Sequence, residues 1–345
     1  MRVLTVIMVL VVLFDLNVDT THAQPPDLAA LESSFNRIVN ASRGKIGVAL
    51  IHLESGRHIV IRGDERFPMA SVVKLPIALE LLTQVSEKRL TLDREVWIGM
   101  SDIRPCCTLS RRHRNGGVSK SARELLELMM IESDNTAADA LLTLVGGPST
   151  VERRLRALGF RNINVNRSEG QLLLDMAGVT GAPPPEQWTL ELQRRLVAEV
   201  GKDALNEGRA QYLRDERDTS TPYDMALFLG RLQLGNLLPE YETTLLLDLM
   251  AQSTTGPRRI RGRLPPDIPV AHKTGTTSVV INDVGIVTLP PGSAIRGHLV
   301  LAVFVVDGSS IARMERAIGH LSAAAFEFFT GQRLPAPQPP RRRRR

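Results

Sequence analysis

The chain has 345 residues, of which 43% are hydrophobic and 23% are charged. These values are ordinary for a globular protein and exclude a mainly disordered chain. The formal net charge of +6 comes mostly from the arginine run at 341–345, so the rest of the chain is close to neutral. A near-neutral body with only 4% aromatic residues argues against a nucleic-acid-binding protein.

The first residues have the pattern of an export signal. Arg2 precedes an apolar run at 3–14, and the small-residue site Thr21-His22-Ala23 follows it. This run is too short to span a bilayer comfortably but suits a signal peptide. We expect cleavage after residue 23, a secreted, periplasmic protein, and no stable membrane insertion afterwards. An uncleaved membrane anchor is the alternative.

The predicted elements run in the order helix, hairpin, helical block, strands and helix. Apolar residues recur on one helical face at 28–40, and turn residues join two β-branched runs into a hairpin. The predicted bounds are a helix at 28–40, strands at 46–53 and 58–62, a mostly helical stretch at 71–250, strands at 270–273, 279–289 and 299–306, and a helix at 311–329. Because strands lie near both chain ends, we expect one α/β sheet lobe built from both ends, with an inserted all-helical lobe.

The two cysteines, Cys106 and Cys107, are adjacent in the sequence. A disulfide between neighbouring residues is strained and rare, so we expect two thiols at this place. Two cysteines at this spacing form no zinc site, and the seven histidines are scattered along the chain. We therefore expect no metal and no other cofactor.

A candidate nucleophile lies in the motif Ser71-Val72-Val73-Lys74. On a helix, residues three apart share a face, so Ser71 and Lys74 would be neighbours. A serine hydroxyl becomes a good nucleophile when a neighbouring base takes its proton. The motif is weak alone, because a helix N-cap serine followed by a solvated lysine has the same pattern.

Two further motifs complete a set of three. Ser133-Asp134-Asn135 lies between two helical runs, and Lys273-Thr274-Gly275 ends a predicted strand, where glycine lets a ligand approach the backbone. Each has a structural alternative, a helix cap for the first and a strand-end turn for the second. Three such motifs rarely occur by chance in this order, with each one on a helix, turn or strand of the expected kind.

Together these motifs resemble the signature of serine β-lactamases and penicillin-binding proteins. Flanking segments are similar to class A β-lactamases in particular: Phe67-Pro68-Met69-Ala70-Ser71, Ser133-Asp134-Asn135-Thr136-Ala137-Ala138, Asp215-Glu216-Arg217-Asp218, Ala271-His272-Lys273-Thr274-Gly275-Thr276 and Asn282-Asp283-Val284-Gly285. The resemblance covers about 28–330, except for one insertion. It implies an antiparallel sheet flanked by helices, with an α/β lobe at 24–64 and 222–330 and a helical lobe at 65–221. Because the Pro/Arg tail at 331–345 has a composition that forms no core, we expect it to be disordered.

The resemblance also implies roles for the motif residues. Ser71 would attack the lactam carbonyl and form an acyl-enzyme, Lys74 would help to deprotonate it, and Ser133 would pass a proton to the leaving nitrogen. The N–H groups of Ser71 and Thr276 would form the oxyanion hole. The substrate-binding residues would be Asn135, Lys273, Thr274, Gly275, Thr276 and Arg259. For Arg259 a surface charge within a basic run is the equal alternative.

The segment Arg167-Ser168-Glu169 resembles the start of the family's Ω-loop. Glu169 would activate the deacylating water, and Arg167 with Asp218 would form the ion pair that closes the loop. An insertion at about 170–210 makes this loop several times longer than is usual in the family. Leu173 stands where the family has an asparagine, and Asn206 is the candidate for a displaced water-positioning partner. The alternative for Glu169 is a solvated loop carboxylate.

The sequence thus predicts a secreted, monomeric serine β-lactamase that hydrolyses penicillins, with cephalosporins as a further expectation. One alternative is a D-alanyl-D-alanine peptidase-like, penicillin-binding acyl-transferase with poor deacylation. Another is a non-catalytic sensor, which the intact motifs disfavour.

Overall fold

The computed structural model describes residues 27–42, 44–306 and 310–335 of the chain. The predicted signal peptide at 1–23 and the arginine run at 341–345 lie outside these residues. Within the described ranges, no helix combines the length and the apolar character needed to cross a membrane.

The described residues form nine strands and twelve α-helices. The strands are β1 (Lys45–His52), β2 (His58–Ile61), β3 (Phe67–Pro68), β4 (Glu95–Ile98), β5 (Val118–Ser121), β6 (Thr219–Ser220), β7 (Val270–Thr276), β8 (Val280–Thr288) and β9 (His298–Val306). The helices are α1 (Leu28–Ala41), α2 (Lys74–Ser86), α3 (Cys107–Arg112), α4 (Ala122–Glu127), α5 (Asn135–Leu144), α6 (Pro148–Ala157), α7 (Glu169–Ala177), α8 (Leu190–Glu199), α9 (Lys202–Arg214), α10 (Pro222–Gln233), α11 (Glu240–Ala251) and α12 (Ile311–Thr330).

The main sheet joins strands from both ends of the chain. Its five strands are all antiparallel and lie in the order β2-β1-β9-β8-β7. The predicted antiparallel sheet is therefore confirmed, whereas the residue boundaries of the two lobes stay predictions. Two details of the prediction were wrong. The segment at 65–221 is not all-helical, because it also contains the short strands β3, β4, β5 and β6. Lys273-Thr274-Gly275 lies inside β7 and does not end it, because β7 keeps pairing with β8 as far as Thr276 opposite Ile281.

The sheet separates two hydrophobic cores, because successive side chains of a strand point to opposite faces. Val48 and Val303 belong to the core under α1 and α12, which also contains Phe326. Ala49 and Phe304 belong to the core that the sheet shares with the helical part of the chain. Burying a large apolar side chain contributes about 1.5–3 kcal/mol, so both faces hold the sheet in place.

Helix α2 runs through the middle of the helical part, and Leu75, Leu79 and Leu81 on it are completely buried. A helix that is apolar on all sides is expected to be a core helix. Pro76 is compatible with this position because the N–H groups of the first turn have no intrahelical partner. The residues just before α2, which include Ser71, are thus anchored to a buried helix.

The segment that was expected to be an insertion, at about 170–210, contains helices α8 and α9, which pack against α7. Helix α8 begins at Leu190 because Thr189 caps it, accepting a hydrogen bond from the Leu192 N–H at 3.0 Å. Helices α7 and α9 meet at two glycines, where a Cβ on Gly208 would collide with the Gly178 backbone. The insertion is thereby a packed extension of the Ω-loop.

Candidate active site

The turn that carries Ser71 is held from two sides. Ser71 belongs to a short 3-10 helix, Ala70–Val73, that leads into α2. On β8, the Asn282 side chain donates to the carbonyl oxygens of Pro68 and Met69, at 2.8 and 3.0 Å. On β7, any side chain larger than hydrogen at Gly275 would collide with the Met69 carbonyl oxygen. Gly275 therefore serves the close approach of β7 to this turn.

Lys74 connects the candidate catalytic groups. Its Nζ lies 3.1 Å from Ser71 Oγ, 3.2 Å from Ser133 Oγ and 2.7 Å from the Ser133 carbonyl oxygen. The same Nζ donates to Asn135 Oδ1 at 2.7 Å and lies 3.2 Å from Glu169 Oε1. Lys74 has no exposed surface, so these contacts replace its hydration.

Ser133 lies between two ammonium groups. It adopts a positive φ of 62° at the end of a π-helical turn, Leu128–Glu132, and just before α5. Its hydroxyl accepts a hydrogen bond from Lys273 Nζ at 2.8 Å, opposite the contact with Lys74. Burial lowers the pKa of Lys273 well below its usual range, and the positive charge of Lys74 lowers it further. The Ser133 hydroxyl is therefore well placed to pass a proton.

Glu169 lies in the first turn of α7 and is buried. Its backbone N–H and that of Gly170 donate to the two carboxylate oxygens of Asp139, at 2.6 and 3.1 Å. Arg104 pairs with Asp139 at 2.7 Å. Burial raises the pKa of Asp139, and the positive charge of Arg104 opposes this. Sequence reasoning missed Asp139, although it follows Asn135 by four residues and so shares its face of α5.

The predicted ion pair between Arg167 and Asp218 is confirmed. Arg167 Nε lies 2.6 Å from Asp218 Oδ2, and both side chains are buried. The same guanidinium contacts Asp175 at 2.8 Å and Asp215 at 3.1 Å. This cluster ties the chain before the insertion to the chain after it, despite the greater loop length.

A cleft of about 420 Å³ opens over these groups. Six predicted site residues line it: Ser71, Ser133, Asn135, Glu169, Thr274 and Thr276. Leu173 also lines the cleft, at the position where the resembled family has an asparagine. The solvated-loop alternative for Glu169 is wrong, since the residue is only 7% exposed.

Other predicted site residues lie elsewhere. Asn206 is exposed on α9 and does not line the cleft, because the buried face of that helix is formed by Gly208 and Tyr212. Arg259 is buried behind the end of β7, where it donates to Thr276 Oγ1 at 2.9 Å. The surface-charge alternative for Arg259 is therefore wrong.

The insertion reaches the nucleophile turn through Tyr212, which sequence reasoning also missed. The Tyr212 ring is buried in a small cluster with Ala70, Leu172 and Val280. Burial raises the pKa of Tyr212, and the negative charge of Glu169 adds to this effect. No motif marks this residue, because the contact joins segments that are far apart in the sequence.

The expectation of two thiols at Cys106 and Cys107 was wrong, because the structure joins them in a disulfide. Both residues have positive φ, 98° and 73°, a backbone that non-glycine residues rarely adopt. This backbone brings the two sulfur atoms into bonding contact, which sequence reasoning based on ordinary geometry did not allow. The disulfide lines the cleft.

The geometry defines a serine acyl-transfer enzyme. A serine hydroxyl in contact with a buried lysine is a nucleophile next to a proton acceptor. A second serine between two ammonium groups can serve the leaving group, and a buried carboxylate in the same cleft can serve as a general base.

Comparisons with known proteins agree with this class. The model of the β-lactamase enzyme family matches residues 30–329. The β-lactamase CTX-M-97 of Escherichia coli is 30% identical over 307 residues, 89% of each chain. A β-lactamase structure from Chitinophaga pinensis has a TM-score of 0.70 at 29% identity, covering 86% of this chain and 98% of that one. An ancestral class A β-lactamase has a TM-score of 0.70 at 30% identity, covering 87% and 100%.

The chain therefore belongs to the β-lactamase enzyme family, as a class A serine hydrolase. A β-lactamase activity follows from this membership, and these relatives do not favour the alternative of a penicillin-binding peptidase.

Proposed function

We propose that the protein hydrolyses the lactam amide of penicillins and cephalosporins through an acyl-enzyme on Ser71. The observation that carries this proposal is the position of Lys74 Nζ, 3.1 Å from Ser71 Oγ and 3.2 Å from Glu169 Oε1. One buried lysine side chain thus contacts both the candidate nucleophile and the candidate general base.

In acylation, the neutral amine of Lys74 takes the Ser71 hydroxyl proton as Oγ attacks the lactam carbonyl carbon. The same nitrogen contacts Ser133 Oγ and returns a proton to it when Ser133 gives up its own. The N–H groups of Ser71 and Thr276 stabilise the oxyanion, and such a donor is typically worth about 3–4 kcal/mol in the transition state. Ser133 then donates a proton to the lactam nitrogen as the carbon–nitrogen bond breaks. Lys273 and Lys74 both contact the Ser133 hydroxyl and favour its transient loss of a proton.

Substrate binding uses the opposite walls of the cleft. On the β7 wall, Lys273, Thr274 and Thr276 receive the substrate carboxylate. Arg259 supports this wall by donating to the Thr276 hydroxyl. On the other wall, the side-chain amide of Asn135 meets the amide of the substrate side chain.

In deacylation, Glu169 takes a proton from the water that attacks the acyl carbonyl. Its position is supported by Asp139, which accepts both N–H groups at the start of α7. Arg104 in turn neutralises the Asp139 carboxylate. A β-lactamase differs from a penicillin-binding peptidase in that it deacylates rapidly. Glu169, as the general base for deacylation, is therefore the residue on which a β-lactamase activity depends.

We also propose that the protein is exported and acts as a monomer. The sequence pattern at 1–23 supports export, and so does the disulfide between Cys106 and Cys107, because disulfides persist in oxidising compartments.

The test is the turnover of benzylpenicillin and of a chromogenic cephalosporin by the purified full chain. A β-lactamase should hydrolyse many equivalents in a linear steady state, with at most a small burst. Hydrolysis that stops after one equivalent per protein would contradict the proposal and would support the peptidase-like alternative.

A further inference from the structure

One wall of the active-site cleft is a disulfide between neighbouring residues. Cys106 is exposed, Cys107 is half-buried, and both line the same cavity as Ser71. They are the only cysteines in the chain. Reductants in solution can therefore reach this bond, and any effect of disulfide reduction on the protein must come from it.

The segment around the disulfide contacts each residue of the Ser133-Asp134-Asn135 motif. Before the disulfide, the Pro105 carbonyl oxygen accepts a hydrogen bond from Asn135 Nδ2 at 3.2 Å. After it, the Leu109 N–H donates to Asp134 Oδ2 at 2.9 Å. Between them, Cys107 Sγ lies 3.7 Å from the Ser133 carbonyl oxygen.

The contact to Asn135 links the disulfide to substrate binding. A side-chain amide has two N–H donors and one oxygen acceptor. The Asn135 oxygen accepts from Lys74, and one N–H donates to Pro105, which leaves one N–H for a substrate. The Pro105 carbonyl belongs to the peptide bond with Cys106, so the backbone conformation at Cys106 sets the position of that carbonyl oxygen. The carbonyl oxygen in turn orients the side-chain amide of Asn135.

The conformation at the two cysteines depends on their covalent bond. Both have positive φ, and non-glycine residues keep such a backbone only where the surroundings enforce it. Reduction removes this constraint. It also creates a thiol at Cys107, which can donate a hydrogen bond to the Ser133 carbonyl oxygen that Lys74 contacts at 2.7 Å.

We propose that the Cys106–Cys107 disulfide is a thiol-sensitive switch in the cleft wall, with the oxidised state binding substrate well and the reduced state binding it poorly. The proposal rests on the substrate-binding role proposed for Asn135. We expect the effect on KM more than on kcat. Pro105 contacts the substrate-binding Asn135, whereas Ser71, Ser133 Oγ and Glu169 are contacted by Lys74.

The switching reaction is a thiol–disulfide exchange with a dithiol reductant. One thiolate of the reductant attacks a cysteine sulfur, forming a mixed disulfide and releasing the other cysteine as a thiolate that takes up a proton. The second thiolate of the reductant then attacks the mixed disulfide and releases the second cysteine. Two electrons and two protons pass to Cys106 and Cys107, and the reductant leaves as a cyclic disulfide.

The experiment compares the oxidised full-length enzyme, the enzyme reduced with dithiothreitol, and an aliquot that is reduced and then reoxidised. The reductant is removed under anaerobic conditions before the assay, because thiols attack β-lactams directly. Iodoacetamide labelling with intact mass measurement counts the free thiols. We expect reduction to raise KM for benzylpenicillin about three- to tenfold, the loss typical of one hydrogen bond, with kcat within about twofold. Reoxidation should restore KM.

The variant Cys106→Ser/Cys107→Ser is the matched control. It should have the KM of the reduced enzyme and should not respond to dithiothreitol. If it does not fold by circular dichroism, the kinetics of the reduced wild-type enzyme decide.

Three results would overturn the switch: two labelled thiols with unchanged KM, a disulfide that 10 mM dithiothreitol does not reduce, or a folded double variant with the KM of the oxidised enzyme. Absence of benzylpenicillin turnover in the oxidised enzyme would instead contradict the proposed function.

Discussion

Replacement of Glu169 by glutamine tests the deacylation step directly. Glutamine keeps the size of the side chain and an oxygen that can accept from Lys74, but it cannot take a proton from water. Ser71, Lys74 and Ser133 keep their mutual contacts, so acylation should continue. The variant should therefore form the acyl-enzyme and hydrolyse it slowly.

The size of the defect follows from the role of a general base. Loss of such a base typically costs ~10²–10⁴-fold in rate, or about 3–5 kcal/mol of activation free energy. From a typical kcat of about 10 s⁻¹, deacylation would fall to about 0.1–0.001 s⁻¹. The acyl-enzyme would then persist for about ten seconds to a quarter of an hour.

Acid quench followed by intact mass measurement follows this intermediate over time after mixing with benzylpenicillin. Asn206→Ala is the matched control, because Asn206 lies in the same loop region, on α9, but is exposed. It should retain wild-type turnover. Deacylation of Glu169→Gln at the wild-type rate would exclude Glu169 as the general base. An acyl-enzyme of the wild type that lasts as long as that of Glu169→Gln would exclude it as well.

The remaining predictions concern the loop anchor and the carboxylate site. Arg167→Met leaves three carboxylates without their shared cation and should destabilise the fold by about 3–5 kcal/mol, lowering Tm by about 6–20 °C. Arg217 also contacts Asp215 but is half-exposed, so Arg217→Met should lower the free energy of unfolding by less than about 1 kcal/mol. Equal Tm shifts for Arg167→Met and Arg217→Met would contradict the assignment of Arg167 as the anchor of the loop. Lys273 binds the substrate carboxylate best when it is protonated, so KM for penicillins should rise as the pH increases and the lysine loses its proton. Because burial lowers the pKa of Lys273, this rise should begin at a lower pH than an ordinary lysine would give. Lys273→Arg stays protonated and should move this rise to higher pH, and an unchanged profile would exclude Lys273 as its source.

Much of the fold could be predicted from the sequence because its elements have strong local signals. The β-branched runs at the two chain ends and the amphipathic pattern of α12 are local, and the structure places them within a few residues of the expected bounds. The extent of β7 could not be predicted, since it depends on pairing with β8. The packing of the insertion likewise depends on Gly178 meeting Gly208, thirty residues apart.

The site was predictable where its residues lie in short motifs. Ser71, Lys74, Ser133 and Lys273 lie in contact as expected from the three motifs. The support around them depends on contacts that no motif encodes. Asp139 holds the start of α7 from another helix, and the backbone at the two cysteines allows a bond that ordinary geometry excludes.

Local sequence similarity did not predict which residue of α9 faces the active site. Asn206 has a side chain of the right type for a water-positioning partner, but α9 turns it towards solvent. The residue that α9 does bring to the nucleophile turn is Tyr212. The contact of Gly208 with Gly178 fixes the rotation of α9 about its axis, and this rotation turns Tyr212 inwards and Asn206 outwards.

If Ser71 is the nucleophile, mixing the enzyme with benzylpenicillin should give a covalent adduct that an intact mass measurement detects. In the Glu169→Gln background the adduct should accumulate to one equivalent per chain, and peptide mapping should place it on Ser71. Adding Ser71→Ala should abolish the adduct while the thermal midpoint stays within a few degrees. An adduct of the same mass that survives Ser71→Ala would contradict the claim.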